Sequence, residues 1–145
     1  MKFKKLLSGL LLAAVASLNL AALAVPTAVT PVLVATPVAP VTATARDMAW
    51  VVCDAVNGNS VTLTGREIVL LWNSGGSPYT VTFTSVAAAN GRTGDITSYS
   101  IGAGLYSQFG PFPLDGWLQS SDGTLRFTAS NALVKYIVLR LPSIQ

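Results

Sequence analysis

Arg66-Glu67-Ile68-Val69-Leu70-Leu71-Trp72-Asn73, the loop Ser74-Gly75-Gly76-Ser77-Pro78, and then Tyr79-Thr80-Val81-Thr82-Phe83-Thr84 decide the fold of this chain. The first run is apolar on both faces. The last alternates strictly, with Tyr79, Val81 and Phe83 on one side and three threonines on the other. Period two describes a pleated strand with one dry and one wet face. A Gly-rich loop joins the two runs, so the segment reads as a β-hairpin against which other strands are laid.

Working outward, the same signals recur. Strands are predicted near Met48–Cys53, Ser60–Leu63, Glu67–Asn73, Tyr79–Ser85, Ile96–Ile101, Leu105–Phe109, Leu125–Ser130 and Val134–Leu141. Turn residues separate them, among them Asn57-Gly58-Asn59, Asn90-Gly91, Gly102-Ala103-Gly104, Asp115-Gly116 and Asp122-Gly123. Short strands at this spacing predict an all-β fold, a β-sandwich or jelly-roll-like single domain over residues 46–145. Alternation points Trp50, Val52, Ile68, Leu70, Trp72, Val81, Phe83, Ile101, Leu105, Phe109, Leu125, Phe127, Ile137 and Leu139 inward.

The chain has 145 residues, which suits one domain and a tail. Residues 1–24 look like a targeting segment. Lys2, Lys4 and Lys5 precede an uncharged Leu/Ala run, and Ala22-Leu23-Ala24 has the small-x-small pattern of a signal peptidase site, with cleavage expected near Ala24. The run is also long enough to span a bilayer if uncleaved. A third reading is a helix packed on a partner subunit. Residues 25–45 are built from Val, Ala, Thr and Pro, with prolines at 26, 31, 37 and 40. That composition predicts an extended, partly polyproline-like arm reaching roughly 65 Å. Its apolar character favours docking on a neighbouring subunit over a solvated linker. A homo-oligomer follows as the expectation, with a trimer the first guess.

Charged residues make up 10% of the chain, well below the usual quarter. The net charge of +3 is local: without the three N-terminal lysines, six basic residues face six acidic ones. The other basic residues form no stripe, which argues against nucleic acid as a partner. The chain has no histidine, so it lacks the commonest general base and metal ligand. Cys53 is the only cysteine and reads as a small core residue. Asp54, Asp95, Asp115 and Asp122 fall at turns or strand ends, where Asp bonds nearby backbone. Neither a D-x-D-x-D-G calcium loop nor a G-x-S-x-G nucleophile motif is present. No catalytic, cofactor-binding or metal-ligating residue is therefore assigned, and a non-enzymatic role is expected.

Trp50, Trp72 and Trp117 with Tyr79, Tyr99, Tyr106 and Tyr136 raise the question of an aromatic sugar-binding platform. Trp50 and Trp72 lie on predicted strands and read as core. Trp117 follows Asp115-Gly116 in a loop and is the better candidate for exposure. The expected interaction surface comprises Val32, Leu33, Val34 and Val38 of the arm, with Arg92 and Trp117 of the loops.

Four stretches carry a family likeness, together with the close Val138-Leu139-Arg140-Leu141-Pro142. They are Gly65 to Gly75, Thr80-Val81-Thr82-Phe83-Thr84-Ser85, Gly91-Arg92-Thr93-Gly94-Asp95-Ile96 and Phe109-Gly110-Pro111-Phe112-Pro113. Over roughly residues 43 to 142 the chain resembles small β-rich structural proteins of tailed phages and prophages, of the head-decoration or minor virion type. The resemblance implies a virion protein that binds a repetitive protein surface, without cofactor or catalytic residues. Capsid assembly in the cytoplasm needs no secretory signal. The signal-like N-terminus therefore supports an alternative: an exported module (periplasmic, cell-surface or secreted) that recognises glycan or cell surface through loop aromatics.

Overall fold

A computed structural model of the protein describes residues 25–33 and 47–142. The readings on residues 1–24 and on 34–46, including Val34 and Val38, lie outside the described residues. Ten strands form: β1 (Thr27–Val29), β2 (Val32–Leu33), β3 (Val51–Val52), β4 (Asn59–Thr62), β5 (Glu67–Asn73), β6 (Tyr79–Thr84), β7 (Ile96–Ile101), β8 (Tyr106–Phe109), β9 (Thr124–Ala129) and β10 (Val134–Arg140). The first sheet has the order β1-β4-β9-β6-β7. The second runs β2-β10-β5-β8, with β3 also beside β10. The described residues form no helix. The fold is all-β, as the alternating pattern predicts.

Every predicted strand is present. β1 and β2 are additional, in the arm where proline density suggested chain without a ladder. Pro26 and Pro31 sit just ahead of these strands rather than within them, and both strands lie at sheet edges, where a missing N–H is tolerated. β1 runs parallel to β4, and β2 parallel to β10. Residues 27–33 thus strap one flank of the two sheets together.

The expected hairpin of β5 and β6 does not form. β5 lies in the second sheet between β10 and β8, while β6 lies in the first between β9 and β7. Ser74–Pro78 carries the chain from one sheet to the other. Asn73 turns this loop: its Nδ2 donates to the carbonyl oxygens of Ser77 (2.7 Å) and Ile101 (2.9 Å), and its Oδ1 accepts from the Gly75 N–H. Period two fixes which residues share a face, but not whether two such strands lie side by side or face to face. From β3 to β10 the two sheets read β3-β10-β5-β8 and β4-β9-β6-β7, with all neighbours antiparallel. That order is compatible with jelly-roll winding.

The core lies between the sheets. Val61, Val81, Phe83, Leu125 and Phe127 enter from the first sheet, and Val69, Leu71, Tyr136 and Val138 from the second. Phe83 is the hub. Its ring centroid lies 4.8 Å from Phe109, 5.1 Å from Phe112 and 5.3 Å from Phe127. Full burial of each large apolar side chain contributes roughly 1.5–3 kcal/mol. Phe112 reaches this cluster from a loop because Gly110 has φ 97°. A Cβ on Gly110 would stand 2.6 Å from the Glu67 carbonyl oxygen, so only glycine fits that approach.

On β5 the buried face is the opposite of the one expected. Val69 and Leu71 are buried, while Ile68, Leu70 and Trp72 are only half-buried on the outer side of the sheet. The polar ends of the inward row, Glu67 and Asn73, disguise it in sequence. Both are fully buried and satisfied by hydrogen bonds. Glu67 accepts from the Thr64 N–H and hydroxyl, the Arg66 N–H and the Arg140 guanidinium. Val52 and Leu105, also expected inside, are exposed, and Leu139 and Trp50 are half-buried.

Candidate functional site

The outward row of β5 meets matching rows on its neighbours. Register pairs Lys135 of β10 with Trp72 and Trp72 with Tyr106 of β8. One step along, Ile137 pairs with Leu70 and Leu70 with Gln108. The segment Asp47–Trp50 brings Trp50 to this same face. Trp72 and Tyr106 stack with centroids 5.7 Å apart and planes 14° from parallel. Trp50 closes the group at 5.9 Å from Trp72 and 5.8 Å from Tyr106. The Lys135 ammonium lies 4.9 Å from the Trp72 ring centre, a cation–π contact that holds the indole from its other side.

Beside these rings is a hollow of about 370 Å³ lined by Met48, Trp50, Leu70, Tyr106, Ser107 and Gln108. Its rim is open to solvent: Tyr106 is 65% and Met48 51% exposed. Trp72 and Tyr106 are therefore presented on a rigid strand pair rather than on a loop. The core beneath them fixes their positions, because the inward neighbours Leu71 and Phe109 are buried. An apolar and aromatic concavity with an amide and a hydroxyl on its wall is suited to recognition.

A second, smaller hollow of about 230 Å³ lies among loops at one end of the sandwich. Its lining includes Ser85, Arg92, Thr93, Asp115 and Trp117. The structure thus brings together two of the residues expected at the interaction surface, Arg92 and Trp117. Trp117 is half-buried and meets Phe112 edge-on at 4.9 Å, so its ring also covers the end of the core. The loops around it are held by carboxylates. Asp115 accepts from the Ala89 N–H (2.8 Å), and Asp95 accepts from the Ser85 N–H (2.7 Å) and hydroxyl (2.6 Å). Val32 is half-buried and Leu33 exposed, both on the edge strand β2 of the chain's own second sheet.

The ionisable groups are committed to structure. Asp54 accepts from the backbone N–H of Asn57 and Val56, the Asn57 amide and the Thr27 hydroxyl, which hold its carboxyl far below the usual range. Burial works to raise the Glu67 pKa, but the bonds from Thr64, Arg140 and Arg66 outweigh it and the carboxyl stays below the usual range. Cys53 is buried, and burial pushes its thiol up to about 12, so it is not a thiolate near neutral pH. Among the described residues no group of three His, Cys, Asp or Glu side chains is placed to hold a metal ion. No helix among them is long and apolar enough to cross a membrane.

The aromatic group on the second sheet is what sequence reasoning missed. Trp50 and Trp72 were expected in the core because the outward row of β5, Ile68-Leu70-Trp72, is wholly apolar. The available signal was that the inward and outward rows of β5 are both apolar in the middle, more than one core layer needs. Comparison with protein-family models, curated proteins and solved structures finds no match.

Proposed function

We propose that this is a non-enzymatic structural protein that attaches to a repetitive protein surface, as a virion decoration or minor head protein does. The attachment face is the outer side of the second sheet. The observation that carries this reading is the solvent-open group of Trp50, Trp72 and Tyr106 beside the Met48–Leu70–Gln108 hollow. Trp, Tyr and Met are enriched at the energetic centres of protein interfaces, where a rigid aromatic anchor meets a pocket. A sheet face of this kind left open to water marks an interaction site. Jelly-roll winding is shared by many capsid domains and supports the reading by analogy of fold alone.

The test is fractionation of particles from the producing cell. The wild-type chain should band with purified virions, and Trp72→Ala/Tyr106→Ala should release it while retaining its β-type circular dichroism. Banding unchanged by the double substitution, or no banding of wild type, refutes the proposal.

A second reading rests on the same rings: an exported module that stacks a sugar on Tyr106 with Gln108 and Ser107 as hydrogen-bonding neighbours. It requires a mature chain cleaved near Ala24 and quenching or enhancement of tryptophan fluorescence by an oligosaccharide. An intact N-terminus by mass spectrometry removes it.

A further inference from the structure

We infer that the strap formed by β1 and β2 exchanges between copies of this chain, so that Thr27–Leu33 of one copy closes the sheets of another. This is independent of what the aromatic face binds.

The bonds that hold the strap are edge bonds. Thr27, Ala28 and Val29 pair with Asn59, Ser60 and Val61 on β4, and Val32 and Leu33 pair with Leu139 and Arg140 on β10. The start of the strap is fixed by the Thr27 N–H donating to the Gly58 carbonyl and by the Thr27 hydroxyl donating to Asp54, both at 2.9 Å. Side-chain burial adds little: Val29 packs against the core, while Val25 and Leu33 are largely exposed. Each of these partners lies beyond residue 53, in the body of the sandwich. The strap of a second copy, laid on the same two edges, would make the same set of bonds. Without a strap, β4 and β10 would both present open edges on one flank, a template for pairing with another chain.

The stretch between strap and body decides which copy supplies it. The strap ends at Leu33, beside Arg140, on the β10 edge of the second sheet. The chain re-enters the described structure at Asp47, and Met48 lines the hollow with Leu70 and Gln108 on β5 and β8. At the usual strand spacing, those points on one molecule are about 15–20 Å apart. Residues 34–46 reach about 40 Å in polyproline-like form. Pro37 and Pro40 fix their own φ, and each disfavours helical backbone at the residue before it, Thr36 and Ala39. A tether delivers its end best when its natural length matches the span, and a stiff one twice too long returns poorly to its own body. The same length suits the flank of an adjacent copy. Exchange of an identical element is a low-cost route to closed oligomers.

The experiment places a disulfide on the strap itself. Ala28 and Ser60 are register partners in neighbouring strands, at a separation a disulfide can bridge. The full chain is made with Ala28→Cys and Ser60→Cys, and with Cys53→Ala to remove the native thiol. It is oxidised at tens of micromolar and run on a non-reducing gel. Exchange predicts covalent dimers or higher closed species, with the 28–60 crosslink between chains confirmed by mixing isotope-labelled and unlabelled protein. It also predicts that the wild-type chain is oligomeric by light scattering at that concentration. A monomeric wild type overturns the inference. So does an oligomer whose 28–60 disulfide lies within one chain or does not form, because the association then lies elsewhere.

Discussion

Phe83→Ala tests the core directly. Phe83 is fully buried, and three phenyl rings stand within 5.3 Å of its own, so nothing nearby can swing in to refill the space without breaking another contact. Burying a phenyl side chain removes on the order of 150–200 Å² of apolar surface from water, worth about 4 kcal/mol at 25 cal/mol/Å². The cavity left behind and the lost ring–ring contacts act in the same direction, and an overall loss of about 3–5 kcal/mol is expected. A domain of this size is stable by about 5–15 kcal/mol, so the variant should sit near the edge of folding. Urea unfolding of the full chain, followed by tryptophan fluorescence and circular dichroism, reads the change. The midpoint should fall by roughly 2 M with little change in slope. Phe83→Leu, which keeps most of the volume, should cost markedly less. A loss below about 1 kcal/mol for the alanine variant would refute the two-sheet core, because it would mean that Phe83 is not enclosed.

Three further outcomes are expected. Leu71→Ala should destabilise by about 2–5 kcal/mol and Leu70→Ala by clearly less, since Leu71 is fully buried and Leu70 half-buried. The reverse ranking in urea midpoints would restore the face expected from sequence. Tyr136→Phe should be neutral or stabilising by up to about 1 kcal/mol, because the Tyr136 hydroxyl is buried and has no hydrogen-bond partner among the described residues. A loss above 1 kcal/mol in the same assay would reveal a partner for it. Thermal stability should be level through neutral pH and fall on both sides. Asp54, Glu67, Asp95 and Asp122 have depressed folded pKa values, so their contribution is present above about pH 4 and is lost as pH drops further. Cys53 is raised to about 12 by burial, so its contribution is present below about pH 8.5 and is lost as pH rises from there towards 12. A melting temperature that rises below pH 4 would contradict the acid limb.

The strands were legible because each carries its own alternation and its own turn residues, a local signal. β5 and β7 have the residue limits that alternation alone suggests. The sheet to which each strand belongs was not legible. β5 and β6 look like two arms of one hairpin, and only the bonds from Asn73 to Ser77 and Ile101 show the loop turning across the sandwich. The buried face of β5 was hidden for a related reason. Glu67 and Asn73 mark their row as wet, yet Arg140 and Thr64 satisfy the one, and loop carbonyls the other, from residues distant in sequence or across a turn. The candidate site followed from that same reversal, since Trp72 could be read as a surface residue only once Leu71 was known to face inward. The arm was read from its prolines as extended, which the strand geometry of residues 27–29 and 32–33 matches. What sequence did not supply was the pair of edges on which those residues lie.

The place of β10 bears on when the protein can fold. It is the last of the ten strands in the chain and lies inside its sheet, with β5 on one side and β2 and β3 on the other. On the ribosome every other strand emerges first. Until Val134–Arg140 is clear of the exit tunnel, β2, β3 and β5 lack the strand that joins them, and Glu67 lacks Arg140. Such long-range pairing forms slowly, and the waiting edges are open to wrong partners. The nascent chain therefore cannot acquire its sandwich piecemeal during translation. It must be kept from aggregating until synthesis has passed residue 140, and then close both sheets in one step.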